Sequence, residues 1–248
     1  MCLLLLGGTT EAKKLAAQLH DASLPLIYSL AGLVRQPDLD CQVVSGGFSQ
    51  FGGMTAFIRV NAVAAILDMT HPFAKNISVN AKNAAKACDI PYWRYERPAW
   101  QQHSEDNWQC FDDWSSLIAA LKDRQSVFIS AGQLPQDVLD ALTKNNAQRH
   151  LLRTAVTPTT SLPDNMQCIE AIGPFSEQEE LALFKAYKID ALVSKMSGGI
   201  ATEAKLMAAR QLGIPVYMLN RPVLLSADKH FSDVKSCESY VLDQFRLG

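Results

Sequence analysis

Short apolar runs alternate with stretches whose apolar positions return at helical spacing, and this pattern persists along most of the chain. An unbroken apolar run bounded by turn formers predicts a strand buried on both faces, and an amphipathic stretch predicts the helix that covers it. The first run, 2–6, leads into a helix over 10–22 with Leu15, Ala16 and Leu19 on one face. Strands at 24–29 and 41–44, a short helix at 55–61, a strand at 64–69, a small-residue helix at 73–88 and a strand at 91–95 follow. A polar stretch at 101–107 interrupts the pattern and reads as a linker. Beyond it come a helix at 114–122, a strand at 126–130, a helix at 136–144 and a strand at 150–155. A helix at 176–186, a strand at 191–194, a helix at 200–212, a strand at 216–219 and a final helix at 236–245 complete the chain. The expectation is an α/β protein of two Rossmann-like domains, 1–100 and 108–235, each a parallel sheet flanked by helices. Residues 236–248 would dock on either domain, and a ligand cleft is expected between the two.

Composition narrows the function classes. Of 248 residues 48% are apolar, and 23 Lys and Arg stand against 25 Asp and Glu, a net charge of −2. Such balance argues against a general binder of nucleic acid or of anionic membranes. The apolar opening stops at Gly7-Gly8, too short for a secretory signal or a spanning helix. Six cysteines without a CxxC pair read as isolated thiols, so neither a metal site nor a disulfide frame is expected. A cytoplasmic protein in a reducing compartment follows.

In an open parallel sheet, ligands gather where strands end and helices begin. Three such junctions carry chemistry. At Gly7-Gly8-Thr9-Thr10-Glu11, paired glycines would let the backbone approach an anion at a helix start. The same residues also suit a tight turn capped by Thr9 or Thr10. At Ser194-Lys195-Met196-Ser197-Gly198-Gly199, a cation, hydroxyls and glycines suit a phosphate cradle, with Lys205 as a second cation. The spacing departs from GxxxxGK[ST], which excludes an ATP P-loop. At Asp68-Met69-Thr70-His71-Pro72, proline at a first helical position places His71 at the helix amino end. A histidine there is favoured neutral and can exchange one hydrogen bond with a substrate, or simply cap the helix. The second strand ends without the acid that would hold a ribose, and Arg35 follows it, which favours a 2′-phosphate and hence NADPH. Arg97 and Arg221, each in an Arg-Pro pair after a strand, suit carboxylate or phosphate recognition, with Glu96 an alternative ion-pair partner. Trp100 would stack on a flat ligand or lie half-buried in the core.

These stretches resemble the precorrin-6A reductases of cobalamin biosynthesis. The matching elements are GGTTEAKKLA at 7–16, SLAG at 29–32, GGF at 46–48, DMTHPFAKNISVNA at 68–81 and IPYWRYERPAW at 90–100. GPF at 173–175 and the run from Ile189 to Pro222 extend the match over nearly the whole chain. The resemblance implies NADPH-dependent reduction of a macrocycle double bond in precorrin-6A, or its cobalt complex, to precorrin-6B. The cofactor site is expected from Gly7, Gly8, Thr9, Thr10, Glu11, Ser29, Gly32, Arg35, Ser194, Lys195, Ser197, Gly198, Gly199, Lys205 and Arg221. Thr70, His71, Arg97 and Trp100 are expected on the substrate side, with His71 assigned as the proton donor. Met69 stands where the family usually has alanine, and Met196 where it usually has asparagine. A substrate rich in carboxylates also calls for concentrated cations, here Arg35, Lys75, Arg94, Arg97 and Arg221. The alternatives are a non-catalytic tetrapyrrole- or nucleotide-binding module and another Rossmann-type imine or enone reductase.

Overall fold

The computed structural model describes residues 1–31 and 38–246. Among them the chain forms two parallel six-stranded sheets flanked by eight α-helices. In chain order, the first stretch comprises β1 (Cys2–Leu6), α1 (Thr10–Asp21), β2 (Leu26–Leu30), β3 (Gln42–Ser45), α2 (Met54–Val60), β4 (Val63–Asp68), α3 (Lys75–Cys88) and β5 (Tyr92–Tyr95). The second comprises β6 (Trp108–Phe111), α4 (Trp114–Ala120), β7 (Ser126–Ser130), α5 (Gln136–Leu142), β8 (Arg149–Thr154), β9 (Met166–Glu170), α6 (Glu177–Ala186), β10 (Ala191–Lys195), α7 (Ala204–Gln211) and β11 (Val216–Leu219). The chain closes with β12 (Lys229–Phe231) and α8 (Val234–Arg246).

The four leucines of β1 show how one strand seeds two core layers. Successive side chains on a strand point to opposite faces. Leu3 and Leu5 therefore pack with Leu15, Ala16 and Leu19 of α1. Leu4 and Leu6 pack with Phe57 and Ile58 of α2 and Ala81, Ala84 and Ala85 of α3. Alanines on α3 leave room for the helix to sit close to the sheet. The strand order is β12-β5-β4-β1-β2-β3, with winding that reverses between β1 and β4. The second sheet runs β6-β11-β10-β7-β8-β9 and reverses between β7 and β10. Each reversal opens a crevice at the carboxyl ends of its two strands.

The division of the chain differs from the sequence expectation. One unit comprises Met1–Pro98 and Pro222–Gly248, and the other Ala99–Arg221. The boundary expected at 235 is replaced by a return at Pro222, because β12 pairs in parallel with β5 and extends the first sheet. Asp228 fixes this return: one carboxylate oxygen accepts the Tyr92 amide at 2.8 Å and the other accepts Lys82 Nζ at 2.6 Å. The Lys82 ammonium, and then the Tyr92 amide, hold its carboxyl below the usual range. Helix α8 docks on the first unit, with Cys237 and Val241 buried in the layer that holds Leu3 and Leu5. The stretch read as a linker, 101–107, lies inside the second unit, where Asp106 accepts two bonds from Arg210 at 2.7 and 3.1 Å. Among the described residues, no helix is long and apolar enough to cross a membrane.

Candidate functional site

In the first unit, the turn after β1 is shaped mainly by internal partners. A Cβ at Gly7 would lie 2.1 Å from Cζ of Tyr28, itself buried, so Tyr28 excludes every other residue there. Gly8 adopts φ +102°, a conformation favouring glycine, and its N–H donates to the Tyr28 hydroxyl at 3.0 Å. Burial pushes the Tyr28 phenol up, which keeps it a neutral acceptor. Thr9 caps α1, accepting the Ala12 amide at 3.2 Å, and donates its hydroxyl hydrogen to the Met69 carbonyl at 3.0 Å. Ser29 is buried, and its carbonyl accepts the Gly7 amide at 2.8 Å. Glu11 pairs with Arg97 at 3.4 Å, whereas Glu96 lies 3.8 Å from Arg94. The first-turn N–H groups of Thr10 and Glu11 have no acceptor within the helix, so any anion at this turn would meet those groups first.

The turn after β4 rests on a buried carboxylate. Asp68 is fully buried, and its Oδ1 accepts both the Thr70 amide at 2.9 Å and the Thr70 hydroxyl at 2.7 Å. Its Oδ2 accepts the Tyr92 hydroxyl and Arg94 Nη1, each at 2.6 Å. Arg94 also donates to Ser78 Oγ on α3 at 2.9 Å. Burial, then the Asp68 charge, push the Tyr92 phenol well above its usual range, so it remains a donor. Arg94, expected among the cations for a polyacidic ligand, is 1% exposed and bonds through Nη1 alone, its Nε and Nη2 being buried without a hydrogen-bond partner among the described residues. Thr70 has given its hydrogen to Asp68 and can offer another partner only an acceptor.

His71 does not sit at the amino end of α3. The helix begins at Lys75, and residues 71–74 form a separate turn closed by the Ala74 amide on the His71 carbonyl at 2.8 Å. The side-chain turn of Asp68 takes up the chain before the helix can start. His71 Nδ1 accepts the Phe73 amide at 3.2 Å, so the neutral ring carries its proton on Nε2.

In the second unit, the loop after β10 has its carbonyls turned toward protein donors. The Lys195 carbonyl accepts the Ser197 amide at 2.7 Å and the Ser194 hydroxyl at 3.3 Å. Arg221 Nε donates to the Met196 carbonyl at 2.8 Å, and its Nη2 to the Ser197 carbonyl at 3.3 Å. The Gly199 carbonyl accepts the Thr202 amide at 3.2 Å and hydroxyl at 3.3 Å. In a trans peptide N–H and C=O point in opposite directions. The Gly198 and Ile200 amides therefore point away from those donors, as the amides of an anion-binding turn must. Gly198, at φ +72°, supplies the left-handed residue this needs. Burial lowers the Lys195 ammonium from its usual range, which makes a nearby anion a favourable partner. Arg221, expected to contact a ligand itself, braces the loop through two carbonyls.

Two expected ligand residues belong instead to a buried cluster behind this loop. Lys205 is 2% exposed, donates to the Thr202 carbonyl at 2.5 Å and lies 4.9 Å from the centre of the Trp100 ring. Trp100 takes the core alternative, packed with Phe128, Leu192 and Leu206 of the second unit. Beside them Arg153 Nη2 donates to Glu180 at 2.7 Å and to Ser130 at 3.4 Å. The Arg153 guanidinium also covers Phe175 at 3.9 Å and Phe128 at 4.9 Å. Sequence reasoning gave Asp68 no role of its own and missed Arg153, Glu180 and the turn Ser130-Ala131-Gly132 after β7, which faces the second crevice. A glycine after a buried strand, followed by Pro135 and a helix, was the available signal for that turn. Gly32 and Arg35 lie outside the described residues.

Comparison with known proteins places the chain. A family model described as precorrin-6x reductase CbiJ/CobK matches residues 2–241. The chain belongs to this family. The precorrin-6A reductase of Rhodococcus erythropolis is 38% identical over 242 residues, covering 96% of both proteins. The cobalt-precorrin-6A reductase of Priestia megaterium is 30% identical, covering 89% of this chain and 90% of its own. A solved structure of CobK precorrin-6A reductase superposes with a TM-score of 0.88 at 32% identity, covering 98% of this chain and 97% of that one. As a precorrin-6x reductase the chain is an oxidoreductase of cobalamin biosynthesis, and both of its sheets take the family's α/β form.

Proposed function

We propose that this chain reduces precorrin-6A to precorrin-6B with NADPH as hydride donor. The family match over residues 2–241 carries the reaction class. The cofactor rests on the donor set of the 194–199 loop, where Lys195 and the Gly198 and Ile200 amides suit a phosphate. At the turn after β1 the Gly8 amide is taken by Tyr28, and the Thr10 and Glu11 amides at the helix start suit such a role. When bound, NADPH supplies the hydride, and the chain's own residues bind, orient and move the proton.

On the substrate side, the Nε2–H of His71 would hydrogen-bond the reacting end of the macrocycle and pass on that proton while taking a replacement from water, so that the ring ends neutral. Thr70 would accept a hydrogen bond from an N–H or O–H of the macrocycle, and Arg97 would meet a ring carboxylate. The metal-free ring is the favoured substrate. Relatives named for precorrin-6A are 33–38% identical to this chain, and those named for the cobalt complex 24–30%.

The test follows nicotinamide oxidation with purified protein, NADPH or NADH, and precorrin-6A or its cobalt complex. Turnover with NADPH and the metal-free ring is expected. Binding of both ligands without oxidation would instead identify a carrier, and reduction of unrelated imines or enones at equal efficiency would identify another reductase.

Two substitutions probe the named residues. Lys195→Ala is expected to weaken NADPH binding about tenfold, more at low salt than at high, because the lost interaction is screened by ions. Equal affinity in a fluorescence titration would remove Lys195 from the site. His71→Asn is expected to lower kcat on the order of 100-fold, the scale of a lost general acid, with the KM for NADPH unchanged. A kcat within threefold of the parent would assign the proton to another donor.

A further inference from the structure

We propose that Lys205 is a positioning residue for the 194–199 loop, holding Gly199 through Thr202 and adding positive charge behind the bound anion. The inference rests on the reading of that loop as the cofactor's phosphate site. Its basis is a relay of short bonds: Lys205 Nζ fixes the Thr202 carbonyl at 2.5 Å, and the Thr202 amide and hydroxyl fix the Gly199 carbonyl at 3.2 and 3.3 Å. The Gly199 carbonyl decides which way the Ile200 amide points, since the two share one peptide plane. Arg221 performs the corresponding task for the Met196 and Ser197 carbonyls, so the loop is clamped from both ends.

The amine's surroundings give this clamp a pH dependence. Lys205 is enclosed, with the Trp100 ring on one side. The charged groups acting on it are Arg153 of β8, Glu180 of α6 and Glu203 just before α7. Burial, reinforced by Arg153 and opposed by the two glutamates, brings its pKa down to about 7. The side chain is then charged below neutrality and loses its charge above it. A charged Lys205 attracts a phosphate at the loop, and a neutral one retains only its bond to Thr202. Cofactor affinity should therefore fall as pH rises from 6 to 8.5.

The experiment is a fluorescence titration of the full chain with NADPH at pH 6, 7 and 8.5, for the parent, Lys205→Gln, Lys205→Met and Lys195→Ala. The 2′-phosphate of NADPH also titrates, but that contribution is common to all proteins and cancels in the ratio of parent to variant. Lys205→Gln keeps an N–H for the Thr202 carbonyl without charge. It should bind within twofold of the parent at pH 8.5 and about fivefold more weakly at pH 6, where the parent's amine is charged. Lys205→Met removes both donor and charge and should bind about tenfold more weakly at pH 6, with a deficit persisting at pH 8.5. If the methionine variant does not fold, the glutamine variant alone decides the matter. A parent-to-glutamine ratio constant across pH would overturn the inference. If Lys195→Ala weakens binding while both Lys205 variants match the parent, only this inference fails. If none of the three moves the affinity, the loop is not the cofactor's phosphate site and the underlying reading fails with it.

Discussion

Asp68→Ala is expected to lower the stability of the first unit by about 3–5 kcal/mol, the penalty for removing one partner of a buried ion pair. Asp68 is wholly buried and Arg94 is 1% exposed, so the substitution strands a guanidinium that water does not reach. It also removes the acceptor for the Tyr92 hydroxyl and for both donors of Thr70. Urea denaturation followed by tryptophan fluorescence measures the effect, since Trp93 lies on β5 beside this network. Asp68→Asn keeps an oxygen for Thr70 and should lose less. A loss below 1 kcal/mol for the alanine variant would mean that Arg94 finds another anion, and Glu96, at 3.8 Å, is the group to examine.

Glu180→Leu is expected to cost the second unit a comparable 3–5 kcal/mol, because Arg153 and Lys205 would then share one enclosure without their nearest counter-charge. Glu180 is 1% exposed and Arg153 6%, so solvent relieves neither. Pairing Glu180→Leu with Arg153→Met should recover most of the loss, since buried charges replaced together by apolar groups of similar volume are often tolerated. The comparison is a double-mutant cycle read by denaturation. Additive costs in the double variant would show that the two side chains act separately.

Much of this architecture was legible from the chain because the inner strands are buried on both sides and appear as unbroken apolar runs. The bounds of β1, β7 and β11 coincide with those runs. The strands β6, β9 and β12 escaped because each lies at a sheet edge, where Gln109, Glu170 and Lys229 face water and break the apolar signal. Charged residues inside strands were harder still. Arg94 and Arg153 look like surface positions until the fold brings Asp68 and Glu180 to them from 26 and 27 residues away. Glycine was informative and ambiguous at once: Gly7 is required by the ring of Tyr28, whereas Gly198 supplies the left-handed residue of a loop braced through its carbonyls. Proline misled at Pro72, where the side-chain turn of Asp68 inserts an extra turn before the helix. Lys205 reads as a second cation because it follows the glycine loop on its helix, and Trp100 reads equally as a stacking platform or a core residue; the fold buries the two against each other.

The late return of the chain at Pro222 has a consequence for synthesis on the ribosome. The segment from Ala99 to Arg221 emerges with every strand of its own sheet already made. The earlier segment must wait, holding β5 without its neighbour until Lys229–Phe231 and the last helix have left the exit tunnel. During that interval an apolar flank and a row of unmatched backbone groups stay open to chance partners, which is the period when a nascent chain most needs a chaperone. A message truncated just beyond codon 221 would make that exposure permanent.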